Sequence, residues 1–194
     1  MKQIEITIKV NNDLAEVDKI LTEQGFNIIR KSRVEDKYLK RDDIKLDKTN
    51  IIEVLSKCAL IRYLKVGNDE FKKITYKKKE YENNNVISET KINVNIDDTE
   101  KAYELLKHLG FELLVNVFYD VIVYEKDNLE LAFQDVEGLG LLLEVENGQD
   151  FTGGSNEEIL KEKKNMLEEI NKYGLNISQD FDVKKAYELI KEKI

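Results

Sequence analysis

The chain has 194 residues, of which 39 are acidic and 31 basic, giving a formal net charge of −8, and 41% are hydrophobic. That acidity excludes a general binder of nucleic acid or of anionic membranes, while leaving room for a local basic cluster around a phosphate. The single cysteine, Cys58, excludes an internal disulfide and points to a reducing compartment. No N-terminal stretch reads as a signal peptide and no apolar run is long enough to span a bilayer, so a cytoplasmic protein is expected.

Taken in order, Gln3 to Val10 alternates, with Ile4, Ile6, Ile8 and Val10 on one side and Glu5, Thr7 and Lys9 on the other. This predicts a half-buried strand. Asn12 or Asp13 then caps a short helix that carries Leu14, Val17, Ile20 and Leu21 and ends at Gly25. Phe26 to Leu39 reads as extended, and Thr49 to Lys57 as helical. Ala59 to Val66 and Phe71 to Lys78 form a predicted hairpin around Gly67-Asn68-Asp69. Lys91 to Ile96 alternates again, Asp97 or Asp98 caps a helix with Ala102, Leu105, Leu106 and Leu109, and Gly110-Phe111 ends it as Gly25-Phe26 ends the first. We read a duplicated strand-helix-strand unit, which closes naturally into an antiparallel barrel of roughly eight strands.

Val117 to Glu125, Leu129 to Val136 and Leu139 to Glu146 supply the remaining strands. Ser155 with Glu158 has the capping-box pattern before a helix carrying Ile159, Leu160, Met166, Leu167 and Ile170. A last helix runs from Val183 to the end. The expected fold is α+β: a closed antiparallel barrel in one domain of residues 1–194, with 155–194 a helical part packed outside.

The run Asp135-Val136-Glu137-Gly138-Leu139-Gly140, followed by Glu144-Val145-Glu146, resembles the CYTH family of triphosphate tunnel proteins. That family includes class IV adenylate cyclases, thiamine triphosphatases and inorganic triphosphatases. Asp36-Lys37-Tyr38, Ile61-Arg62, Ile74-Thr75-Tyr76-Lys77 and Ala186-Tyr187-Glu188-Leu189-Ile190 extend the likeness over most of the chain. The resemblance implies a tunnel in which paired glutamates hold Mg²⁺ or Mn²⁺, hard cations that take oxygen ligands. Basic side chains on other walls would hold the triphosphate of ATP, thiamine triphosphate or tripolyphosphate. It places metal at Glu5, Asp135, Glu144 and Glu146, and phosphate at Arg62, Lys77 and Lys9. Hydrolysis and ATP cyclisation are both open.

The chain also departs from the family pattern. The N-terminal Glu-x-Glu-x-Lys falls either on Gln3-Ile4-Glu5-Ile6-Thr7, which keeps only the middle glutamate, or on Glu5-Ile6-Thr7-Ile8-Lys9, which keeps the first glutamate and the lysine. Arg-x-Arg falls on Leu60-Ile61-Arg62, Arg-x-Glu on Glu89-Thr90-Lys91, and a basic position on Val121. A degenerate binding or interaction module without turnover is therefore the second expectation. Glu144 and Glu146 equally suit ion pairs with Arg62 and Lys77 across a barrel. Tyr38 reads as a packing aromatic, His108 as a helix-end residue suited to the dipole, and Cys58 as a small buried residue.

Overall fold

The structure is a computed structural model. It describes the backbone of residues 4–82, 85–148 and 154–194, and the side chains of these residues outside 77–91. Eight strands, β1 (Ile4–Lys9), β2 (Asn27–Arg41), β3 (Ala59–Val66), β4 (Asp69–Glu82), β5 (Asn85–Asn95), β6 (Phe111–Lys126), β7 (Leu129–Val136) and β8 (Gly140–Asn147), form one sheet. Every ladder in it is antiparallel, and the order is β1-β8-β7-β6-β2-β3-β4-β5. Among the described residues, five helices accompany it: α1 (Leu14–Glu23), α2 (Ile51–Leu55), α3 (Thr99–His108), α4 (Asn156–Asn171) and α5 (Lys185–Lys191).

The local signals behave as their chemistry requires. Asp13 caps α1 and Ser155 caps α4, each through a complete capping box, and each such cap is worth about 1 kcal/mol. Asp98, the second of the two candidates, caps α3. The chain leaves α1 through Gly25, at φ +87°, in the left-handed region that glycine enters without the steric cost of a Cβ. The β3–β4 hairpin turns on Gly67 and Asn68 alone, since Val66 pairs with Asp69. Strands β4, β5 and β6 are longer than their alternation predicts, and α5 begins two residues later than Val183.

The strand order carries the symmetry of a duplication. Exchanging β1 with β5, β2 with β6, β3 with β7 and β4 with β8 turns the sheet order into its own reverse. The two halves meet at the long β2–β6 ladder, where Val34 lies opposite Tyr119.

The two faces of the sheet are covered differently. On one face, Ile6, Ile8, Phe133, Leu143 and Val145 pack with Val17 and Leu21 of α1 and Leu167 and Ile170 of α4. Further along the same face, Leu39, Ala59 and Ile61 pack with Ala102 and Leu106 of α3. On the opposite face, Val34, Val117, Tyr119, Val121, Val136 and Leu142 pack with Ile51 of α2 and with Ala186, Leu189 and Ile190 of α5. The C-terminal helix thus lies on the face that carries the candidate site, and not outside with α1, α3 and α4 as expected. Its apolar residues are drawn there by the row of valines on β6, which offers a large area to remove from water.

The free edge of β1 is taken by the segment that leads into α5. Asn11 donates to Asn176 O, Ser178 to Lys9 O, Thr7 to Phe181 O and Val183 to Thr7 O, at 2.8–3.0 Å. Lys163 of α4 pins this segment through a 2.6 Å ion pair with Asp182, both side chains being nearly buried. The strap thereby satisfies edge groups that would otherwise be left open. Among the described residues, no ladder joins β1 to β5. No helix among them is long and apolar enough to cross a membrane.

Candidate functional site

Strand parity decides which predicted residues meet. On β1 the apolar set Ile4, Ile6 and Ile8 is buried, which turns Glu5, Thr7 and Lys9 to the α5 face. On β8, Leu141, Leu143 and Val145 are buried on the helix-covered face, leaving Leu142, Glu144 and Glu146 on the other. Glu5 pairs with Glu146, and Thr7 with Glu144. One carboxylate oxygen from each of Glu5, Glu144 and Glu146 lies within 4.8 Å of the others. That spread is about twice a metal–oxygen bond of roughly 2.1–2.5 Å, so the three oxygens span a single hard cation.

Asp135 does not join them. Its cross-strand partner is Leu141, so it lies on the helix-covered face, where it is exposed beside Asp120. The turn between β7 and β8 sets this register: Val136 pairs with Gly140 and Ala132 with Glu144. The even-numbered residues of β7 therefore share the face of Glu144. The residue that reaches the site from this strand is Gln134, which is buried.

Gln134 accepts a hydrogen bond from Lys185, the first residue of α5. The same ammonium lies 3.3 Å from Glu144 Oε2 and 4.7 Å from the centroid of the Tyr119 ring. Lys185 is a cation that the structure brings to the acidic cluster, and sequence reasoning missed both it and Gln134. Two signals were available. Alternation counted back from the glycine turn selects Gln134, and Lys185 directly precedes Ala186-Tyr187.

Arg62 is engaged elsewhere on the same face. It donates from Nε to Asp36 Oδ1 at 2.7 Å and from Nη2 to Asp36 Oδ2 at 2.6 Å. This two-pronged fit is the strong form of the guanidinium–carboxylate contact. Nη2 also donates to Tyr119 Oη at 3.1 Å, and Tyr119 in turn donates to Asp36 Oδ2 at 3.2 Å. Asp36 is 1% exposed. Burial works against the Arg62 charge, but the hydrogen bonds and the field of Asp36 hold its pKa well above the ordinary value. Burial, followed by the Asp36 carboxylate, pushes the Tyr119 phenol well above its usual range. It is therefore a neutral hydroxyl donor at any physiological pH.

The other expected residues fall as follows. Lys9 is on the site face and exposed. Lys77 lies in β4 opposite Lys91, and both side chains lie outside the described residues, as do those of Glu89 and Thr90. Leu60 and Val121 are buried. Tyr38 packs half-buried on the α5 face. His108 is exposed at the last turn of α3. Cys58 is buried, its thiol donates to Val54 O, and burial pushes its pKa up to about 12 against a small opposing effect of Lys40.

No family model matches this sequence. A protein of Methanocaldococcus jannaschii named "Putative adenylate cyclase MJ0240" is 31% identical over 191 residues, covering 96% of this chain and 97% of that protein. The solved structure of the PH1819 protein of Pyrococcus horikoshii has a TM-score of 0.72 at 22% identity, with 99% of each chain covered. A structure from Vibrio parahaemolyticus, described as a putative adenylate cyclase, has a TM-score of 0.65 at 12% identity and covers 99% of this chain and 98% of its own. At such identities the structural likenesses show the fold. The identity and coverage of the archaeal relative show more: the chain belongs to the family of the Methanocaldococcus jannaschii protein named as a putative adenylate cyclase.

Proposed function

We propose that this protein binds a triphosphate compound on the α5 face of its sheet, with a divalent cation at Glu5, Glu144 and Glu146. The observation that carries this reading is the convergence of those three carboxylates within 4.8 Å. Three acids this close repel one another, and a hard cation relieves that repulsion. In this reading the sheet wraps around its ligand as a tunnel, with the strap at Asn176–Val183 filling the seam beside β1. The setting is the cytoplasm, consistent with the single buried thiol.

The chemistry follows from charge. A triphosphate brings several negative oxygens, and its reaction develops more charge as phosphorus is attacked. Mg²⁺ or Mn²⁺, when bound, would neutralise those oxygens and template the reacting groups. Lys185 adds a positive charge beside the cation site, and Arg62, held by Asp36 along its Nε–Nη2 edge, adds a second positive charge farther along the face. ATP cyclisation, as the name of the archaeal relative suggests, and triphosphate hydrolysis make the same demands on these residues. The nucleophile distinguishes them: a ribose hydroxyl in one case, water in the other.

A second reading, a binding module without turnover, is favoured by two particular features. Arg62 is committed to Asp36, and the residue that β7 brings to this face beside Lys185 is the neutral amide Gln134, not an acid. Incubation with ATP or tripolyphosphate and Mn²⁺, following cyclic AMP and released phosphate, separates the readings. The lead reading expects metal-dependent product that disappears in Glu144→Gln/Glu146→Gln. Product that persists undiminished in that double variant removes the site assignment, and no product from the folded wild type supports the second reading.

A further inference from the structure

Tyr119 touches two cations of the site face, Lys185 and Arg62. Its ring lies beneath the Lys185 ammonium, 4.7 Å from the centroid, and its hydroxyl accepts from Arg62 at 3.1 Å. Asp36 completes the arrangement by holding the Nε and Nη2 donors of Arg62. We infer that Tyr119, backed by Asp36, is a positioning residue that sets Lys185 and Arg62 as a pair of cations along one phosphate chain. This inference rests on the triphosphate reading above.

The physical case begins with freedom. A lysine and an arginine each lose much rotamer entropy when a ligand fixes them, and that loss subtracts from affinity. Here the loss is met in advance. Asp36 is buried and cannot follow a ligand, so the guanidinium is locked in plane along its Nε–Nη2 edge. A guanidinium has five donors; the Asp36 contact spans that one edge and leaves Nη1 outside it. On the other side, an aromatic face attracts an ammonium without neutralising it, and Gln134 and Glu144 fix its direction. The Tyr119 ring is itself buried, in the cluster that holds Val117, Val121 and the apolar residues of α5, which restricts its movement. One rigid side chain therefore fixes the relation of the two cations. Its placement opposite Val34, at the junction of the two halves, puts it midway between the acidic end on β1 and β8 and the β3 arginine.

The test is calorimetric and uses the intact chain. Tripolyphosphate is titrated in the presence of Mn²⁺, and Mn²⁺ alone is titrated separately, with wild type, Tyr119→Phe, Arg62→Lys and the double variant. Tyr119→Phe should weaken tripolyphosphate about tenfold, the scale of one hydrogen bond to a charged group, while Mn²⁺ alone binds as before. Because Tyr119 acts on Arg62 through its hydroxyl, the double variant should be no weaker than Arg62→Lys. Asp36→Asn, if folded, should reproduce the loss, and a failure of Asp36→Asn to fold leaves the Tyr119→Phe comparison to decide. Wild-type affinity in Tyr119→Phe overturns the inference, as does a double variant that loses both effects in full. If the wild type itself does not bind tripolyphosphate, the triphosphate reading fails and the inference falls with it. Wild-type binding with unaffected variants sinks the inference alone.

Discussion

Asp36 and Arg62 face each other across the β2–β3 ladder and share two hydrogen bonds of 2.7 and 2.6 Å. The arginine that resembles a phosphate ligand in sequence is thus already paired with an internal carboxylate. Removing one partner of such a pair leaves an uncompensated charge in a dry place. Asp36→Ala should therefore cost about 3–5 kcal/mol in urea denaturation. An effect below about 1 kcal/mol, the range of an exposed pair, would show that Arg62 reaches solvent when Asp36 is absent.

The Lys163–Asp182 pair should behave in the same way and report on the strap. Lys163→Met should destabilise by about 3 kcal/mol, because the nearly buried Asp182 carboxylate loses its ion pair with Lys163. Adding Asp182→Leu should recover much of that loss, since a packed apolar pair needs no compensation. A double variant as unstable as the single one would mean that the strap depends on the Asp182 carboxylate for more than charge balance. Urea midpoints of the two variants and the wild type decide this.

Gly138 and Gly140 flank the turn that sets the β7–β8 register, at φ +83° and +82°. A Cβ at Gly140 meets nothing within 4 Å, whereas one at Gly138 comes within 3.2 Å of Leu189 Cδ2 on α5. Alanine at either position should cost about 1–2 kcal/mol for the left-handed backbone. Gly138→Ala should cost slightly more, unless Leu189 moves aside freely. Denaturation midpoints of the two variants, compared side by side, isolate the contact between the turn and α5.

Alkaline pH should destabilise the fold. Burial, opposed slightly by Lys40, raises Cys58 to about 12. Burial, with the carboxylates of Asp36 and Asp18, raises Tyr119 and Tyr124 respectively. In the unfolded chain these groups ionise near roughly 8.5 and 10. Between those values and the folded ones, the native state binds more protons than the unfolded state, so stability falls as pH rises. The stability attributable to these groups is fully present below about pH 8 and is lost progressively from about pH 9 upwards. Urea midpoints measured from pH 7 to 11 test the sign. The same burial makes Cys58 slow to alkylate in the native protein at pH 8, and rapid modification would contradict it.

Much of the fold was legible because local chemistry set it. Asp13, Asp98 and Ser155 announce helix starts, Gly25 and Gly110 announce their ends, and the repeated pattern announced a sheet with matching halves. The site was half legible. Glu144 and Glu146 could be placed on one face from spacing alone, and alternation placed Glu5 opposite the isoleucines. Asp135 was placed with them because it sits in the most characteristic stretch, but a one-residue shift in parity puts Gln134 on the site face instead. The partnership of Asp36 with Arg62 depends on a ladder that joins two residues 26 positions apart in the chain. The arrival of Lys185 depends on which face α5 chooses, and an amphipathic helix does not name its own docking surface.

The most direct measurement is a calorimetric titration of the purified protein with tripolyphosphate, with and without Mn²⁺. The account predicts saturable binding that strengthens with the metal and loses that strengthening in Glu144→Gln/Glu146→Gln. Absence of binding in both conditions, by a protein shown to be folded, would contradict it.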